Sequence, residues 1–183
     1  MDLDGDDRVD VLASGPGPSF AVFLNRGDGT YPPRSADYPP PADMTGWFFV
    51  DWNQDGRPDI FITGPSHTVL LNDGHGRFEE RLSLSPPAAS RPPDYMTVAD
   101  MNGDGRADLV EGFEGGSRDT VEVWLNDGHD VFTSPVRATV TRYGESVRAA
   151  DLDGDGHLDL IVQSQPRATQ SFVSVLLNGM CSP

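Results

Sequence analysis

A single cysteine, Cys181, stands two residues from the end of the chain, so no intrachain disulfide and no cysteine-built zinc site can form. Positive charge is scarce as well: 13 lysines and arginines face 29 aspartates and glutamates, for a formal net charge of -16. A nucleic-acid partner would meet a like-charged surface and is not expected, whereas a multivalent cation is the natural counter-charge. No apolar run approaches the roughly 18 residues of a membrane-spanning helix. The N-terminus also lacks the basic region, apolar core and small-residue cleavage site of a secretory leader. Because the chain opens inside a repeated motif, the expectation is a piece of a longer protein whose leader, if any, lies upstream.

What the sequence has in excess is turn chemistry. Its 20 glycines and 16 prolines suit many short strands joined by tight turns and oppose long helices, so an all-β fold is expected. One nonapeptide recurs: Asp2-Leu-Asp-Gly-Asp-Asp-Arg-Val-Asp10, Asp51-Trp-Asn-Gln-Asp-Gly-Arg-Pro-Asp59, Asp100-Met-Asn-Gly-Asp-Gly-Arg-Ala-Asp108 and Asp151-Leu-Asp-Gly-Asp-Gly-His-Leu-Asp159. A second motif keeps step with it: Val22-Phe-Leu-Asn-Arg-Gly-Asp-Gly-Thr-Tyr31, Val69-Leu-Leu-Asn-Asp-Gly-His-Gly-Arg-Phe78, Val123-Trp-Leu-Asn-Asp-Gly-His-Asp-Val-Phe132 and Val175-Leu-Leu-Asn178. Two motifs in one register define a single repeat domain over 1–183, with repeats at approximately 1–42, 43–93, 94–144 and 145–183.

Each repeat reads as four short strands. Apolar residues precede the acidic loop (Trp47 to Val50, Met96 to Ala99, Val147 to Ala150) and follow it (Ile60 to Ile62, Leu109 and Val110, Leu160 to Val162), which predicts a hairpin around the loop. A third strand ends at the Leu-Asn pair, and a fourth begins near Tyr31, Phe78 or Phe132. The Pro-rich stretches Tyr31 to Pro41 and Pro86 to Pro93 are expected to connect units. About 50 residues and four strands is the size of a propeller blade. The first repeat lacks the strand before its loop and the last lacks the strand after Asn178, so the expected architecture is an incomplete arc of a larger β-propeller, with sheet edges that invite self-association.

The acidic loop has the chemistry of a calcium site. Calcium takes six to eight oxygens in a flexible shell, and positions 1, 3, 5 and 9 supply them: Asp2, Asp4, Asp6, Asp10; Asp51, Asn53, Asp55, Asp59; Asp100, Asn102, Asp104, Asp108; and Asp151, Asp153, Asp155, Asp159. A backbone carbonyl at position 7 can add another ligand. Gly56, Gly105 and Gly156 at position 6 allow the positive φ that the turn needs. Asp, Asn and Gly are good turn formers in their own right, but turn chemistry does not require Asp at positions 1, 5 and 9 in all four copies. The third loop, from Asp100 to Glu111, even fits an EF-hand pattern, but the other three carry Ala13, Ile62 and Val162 at that place and the flanks read as strands.

The loop D-x-[DN]-x-D-G-x-x-D, followed by apolar alternation and V-x-L-N-x-G-x-G-x-F, resembles the FG-GAP and VCBS repeats of integrin-α-like β-propellers. That resemblance implies a calcium-binding module in which the ion staples a blade hairpin. It implies an extracellular, secreted or cell-surface setting, and a protein or glycan ligand. Adhesion receptors, lectins, secreted bacterial proteins and the shells of toxin complexes all carry such repeats. A binding or interaction scaffold is expected, with a carbohydrate-binding lectin or a toxin-complex shell as the alternatives. No catalytic constellation is visible, and an enzyme is not expected. The fourth loop is expected to bind tightest, then the second and third, and the first weakest, because Asp7 occupies its glycine position.

Other features carry less. Arg26-Gly27-Asp28 lies in the Leu-Asn turn, where the repeat already accounts for it. His75 and His129 are equivalent turn residues, His157 lies in an acidic loop and His67 stands alone. Trp124 takes the strand place of Phe23 and Leu70, whereas Trp52, at position 2 of its loop, is expected to be exposed and to be the best single ligand contact.

Overall fold

Fourteen strands lie among the described residues, most of them bounded by Gly-, Asn- and Asp-rich turns. The computed structural model describes residues 1–14, 20–38, 44–64, 66–84, 93–115, 119–129, 131–133, 135–141, 143–167 and 170–179, and among these there is no helix. Backbone contacts divide the chain into two units, Met1–Pro86 and Pro87–Pro183, each holding two repeats.

The first unit contains a three-stranded sheet of β1 (Val11–Ser14), β2 (Phe20–Phe23) and β3 (Pro33–Tyr38), and a four-stranded sheet of β4 (Gly46–Val50), β5 (Asp59–Thr63), β6 (His67–Asn72) and β7 (Phe78–Leu84). The second contains a four-stranded sheet of β8 (Tyr95–Ala99), β9 (Asp108–Phe113), β10 (Asp119–Trp124) and β11 (Val136–Val140), and a three-stranded sheet of β12 (Gly144–Ala150), β13 (Asp159–Arg167) and β14 (Gln170–Leu176). Each sheet is an antiparallel meander of consecutive strands, the arrangement expected when every connection is short.

Three acidic loops are hairpin connections that close on position 9, where Val50 pairs with Asp59, Ala99 with Asp108 and Ala150 with Asp159. The first loop reproduces this closure without a strand: Asp10 N donates to Met1 O at 2.8 Å. Two expectations shift. β3 runs through the Pro-rich stretch read as a connector, which is tolerable because Pro33 opens an edge strand, where a missing N–H costs little. Phe132 makes only an isolated bridge to Asn126, and β11 starts at Val136, just after Pro135, whose ring carries no N–H to give to a ladder. The remainder of the two Pro-rich stretches, 39–41 and 86–92, lies outside the described residues.

One apolar cluster forms in each unit from side chains on one face of its strands, although the central strands β5 and β9 are buried on both faces. In the first, Ile60 and Ile62 of β5 pack with Leu3, Phe20, Val22, Leu70 and Phe78, while Phe61, on the opposite face of β5, meets the rings of Trp52 and His67. In the second, Val110, Val121, Val140, Val147, Leu160 and Val162 surround Tyr95 and Met101. Tyr95 explains two glycines inside strands: a Cβ on Gly112 would lie 1.9 Å from its ring, and one on Gly144 2.3 Å from its hydroxyl. Burial, and then the carboxylates of Asp119, Asp94 and Glu114, push the Tyr95 hydroxyl up to about 12.

Position 2 of the loop belongs to these cores. Leu3, 1% exposed, enters the cluster shared by the first and second repeats, and Met101, 5% exposed, enters the one shared by the third and fourth. Trp52 is likewise buried, at 7% exposure, with its ring 5.5 Å from that of Phe61. The expectation of an exposed ligand contact there is therefore wrong, because the Trp52 ring packs against Phe61 and gains from that burial. Leu152, which ends the series, is 45% exposed.

Candidate metal centres

Each acidic loop is held by its own backbone. The position 1 carboxylate sits over the turn and collects N–H groups: Asp2 accepts from Gly5 and Asp7 at 2.8 Å, Asp51 from Gly56 at 2.9 Å, Asp100 from Gly103 and Gly105 at 2.8 Å, and Asp151 from Gly154 at 2.7 Å. Aiming these donors inward requires two left-handed residues per loop, at positions 4 and 6. Position 4 went unread in the sequence, although Gly5, Gly103 and Gly154 stand there. Gln54 fills it in the second loop with φ 60°. At position 6 of the first loop Asp7 adopts φ 64°, a conformation that Asp tolerates better than most residues, so this loop keeps its shape without the glycine.

Position 9 does something that the motif does not announce. Both oxygens of this aspartate accept backbone N–H groups in all four repeats, one from loop position 2 and one from the Leu-Asn asparagine. Asp10 takes Leu3 N and Asn25 N at 2.7 and 2.8 Å, Asp59 takes Trp52 N and Asn72 N at 2.9 and 2.8 Å, Asp108 takes Met101 N and Asn126 N at 2.8 Å each, and Asp159 takes Leu152 N and Asn178 N at 2.9 and 2.7 Å. Burial pushes the Asp59 and Asp108 carboxyls up, against the pull of those N–H groups. At Asp159 the N–H groups of Asn178 and Leu152 dominate and hold the carboxyl below its ordinary value.

Two of these asparagines, Asn72 and Asn178, tie their repeat to the preceding one within each unit. Asn72 Nδ2 donates to Pro58 O in its own repeat and to Leu3 O in the preceding one, both at 3.1 Å. Asn178 Nδ2 repeats this with Leu158 O at 3.2 Å and Met101 O at 2.9 Å. The recurrence of Leu-Asn in all four copies was the visible signal; its partners, 69 and 77 residues away, could not be read from spacing.

Among the described residues, two sets of three carboxylates converge with ligand atoms within 4.8 Å of one another: Asp2, Asp4 and Asp10, and Asp151, Asp153 and Asp159. The first set includes a buried oxygen, Asp4 Oδ1, that has no hydrogen-bond partner. Burial, then the carboxylates of Asp10, Asp6 and Asp2, push the Asp4 carboxyl up. A hard cation answers both features, because it supplies the missing partner and cancels the mutual repulsion. In the second and third loops the amide of Asn53 or Asn102 replaces one carboxylate and donates to Asp55 or Asp104, at 3.0 and 2.9 Å.

The position 5 carboxylates, Asp6, Asp55, Asp104 and Asp155, stay outside those convergent sets. Each instead accepts the position 7 backbone N–H, at 3.0, 2.9, 2.9 and 2.8 Å. In three loops the position 7 side chain follows: Arg8 reaches Asp6 at 2.5 Å, Arg57 reaches Asp55 at 3.6 Å and Arg106 reaches Asp104 at 2.6 Å. An external cation is thus not the only counter-charge available to these loops, as the sequence had suggested. At Asp104 burial is outweighed by the Arg106 N–H, the Asn102 amide and the Arg106 charge, and the carboxyl lies below its ordinary value.

The FG-GAP-like repeat model matches the chain three times, over residues 2–62, 51–111 and 113–162. No curated protein matches it.

Proposed function

The chain belongs to the FG-GAP-like repeat family, and from that premise we propose that it is a calcium-binding β-propeller module, acting outside the cell as a binding or protein-interaction scaffold and not as an enzyme. The observation that carries the calcium reading is the convergence of Asp2, Asp4 and Asp10 around a buried oxygen without a partner, repeated in form by Asp151, Asp153 and Asp159. The donors are all hard oxygens, which suits calcium and not zinc. Positions 1, 3 and 9 would hold the ion with position 5 as a further ligand, and the bound ion would supply a charge that fastens the loop to the two strands it joins. The scaffold reading is supported by the family, in which such repeats form β-propeller-like interaction modules. A glycan partner remains the alternative to a protein one, although the burial of Trp52 removes its best candidate contact.

Thermal melts in about 1 mM calcium and in chelator test the proposal. With dissociation constants near 10⁻⁴ to 10⁻³ M, each occupied site adds roughly 0.4–1.4 kcal/mol, so the midpoint rises in calcium. An unchanged midpoint together with no calcium uptake by calorimetry would sink the reading.

A further inference from the structure

The position 7 arginines make a second contact that the acidic loop alone does not explain. Each lies across the glycine of the Asn-x-Gly turn in the second motif of its repeat: a Cβ on Gly27 would stand 2.9 Å from Arg8 Nε, one on Gly74 2.7 Å from Arg57 Nε, and one on Gly128 3.2 Å from Arg106 Cδ. These glycines also have φ between 76° and 87° and donate to the side-chain oxygen of Asn25, Asn72 or Asn126 at 2.9 Å. Arg106 adds a hydrogen bond from Nε to Asn126 O at 3.2 Å. The stem of the arginine is therefore fixed on one motif while its guanidinium is presented to the position 5 carboxylate of the other. In the fourth repeat both halves change together: His157 replaces the arginine, and the sequence has Met180 at the place of the glycine.

We infer that Arg8, Arg57 and Arg106 are built-in competitors of the cation, each holding the position 5 carboxylate of its loop until a divalent ion draws that carboxylate away, so that the fourth loop fills at the lowest calcium concentration. This rests on the calcium reading above and adds to it which side chains set the order of filling. Two costs fall on an ion entering an arginine-bearing loop. It must break a charge-assisted pair, and it must sit beside a guanidinium that repels it. The fourth loop carries neither cost and keeps its carboxylates at Asp151, Asp153, Asp155 and Asp159. The three arginines are thus positioning residues: they need not touch the ion, and they act through Asp6, Asp55 and Asp104.

The test is a calcium titration of the whole chain followed by NMR, with the amides of Gly56, Gly105 and Gly156 reporting the second, third and fourth loops separately. In the wild-type chain Gly156 is expected to shift first. Arg106→Gln should tighten calcium binding at the Gly105 reporter by about five- to tenfold, the size of one nearby charge in a largely aqueous setting, and should lower the melting midpoint in chelator. A merely structural arginine would do the opposite to affinity, because its loss would loosen the loop. Should Arg106→Gln fail to fold, the paired change His157→Arg and Met180→Gly installs both halves of the device in the fourth repeat, and binding at Gly156 should weaken by a similar factor. Unchanged or reversed affinities in a chain that does bind calcium overturn the inference and leave the calcium reading standing. A wild-type chain with no calcium-dependent shifts removes the calcium reading itself.

Discussion

The two ends of each acidic loop carry the same residue in different circumstances. At position 9, Asp10, Asp59, Asp108 and Asp159 are buried, and each binds two backbone N–H groups from two different segments. At position 5, Asp6, Asp55, Asp104 and Asp155 are exposed and turn toward position 7. The inner carboxylate is a structural member whether or not an ion is present. The outer one is free to be contested between an arginine and a cation. A motif that reads as a uniform ligand string is thus divided by burial into a part that makes the fold and a part that responds to solution.

The strongest way to break that comparison is at the inner end. Asp59→Ala or Asp108→Ala strands two buried N–H donors and should cost about 2–5 kcal/mol even in chelator, whereas Asp55→Ala in chelator should fall within about 0.5 kcal/mol of wild type. Chemical denaturation of the three variants measures both numbers, and similar losses at the two ends would erase the distinction. A gentler probe of the interior is Tyr95. Its hydroxyl is held near 12, so above pH 10 the unfolded chain releases a proton that the folded chain retains. Stability intact below pH 10 should therefore decline between pH 10 and 12. Ultraviolet titration should show a tyrosine ionising near pH 12, and that step should vanish in Tyr95→Phe. The smallest expected effect lies at the outer end. Asp155→Ala should remove more calcium-dependent stability than Asp6→Ala, by something under about 1.4 kcal/mol, because Asp6 is already paired with Arg8 whereas position 7 of the fourth loop is His157 and carries no guanidinium. Matched melts in calcium and chelator would show the order, and the reverse order would count against a role for the arginine.

Much of this was legible beforehand, for a physical reason. Hairpin and repeat periodicity are local properties, so the pairing of Val50 with Asp59 or Ala150 with Asp159 follows from apolar runs placed on either side of an Asp-Gly turn. The convergence of Asp151, Asp153 and Asp159 is local for the same reason. What escaped was set by distant partners. Trp52 was read as exposed because a loop position two residues from a turn usually is; only the fold reveals Phe61 waiting beside it. Asp7 was read as a defect because Gly is the ordinary left-handed residue, yet the closure of Asp10 N on Met1 O and the N–H groups gathered by Asp2 hold the turn in place. The arginines were passed over because their two contacts lie in different motifs, joined only once the sheet is formed.

The reach of Asn72 to Leu3 O and of Asn178 to Met101 O bears on how such a chain could have lengthened. Within each unit the later repeat carries an asparagine amide that grips the earlier one, whose loop offers the carbonyl of a position 2 residue, Leu3 or Met101, with its side chain in the core the two repeats share. A tandem copying event that duplicated a pair of repeats would deliver both halves of the joint at once. Such a copy would keep its joint intact, whereas an insertion that fell inside a unit would separate the asparagine from the loop carbonyl it grips.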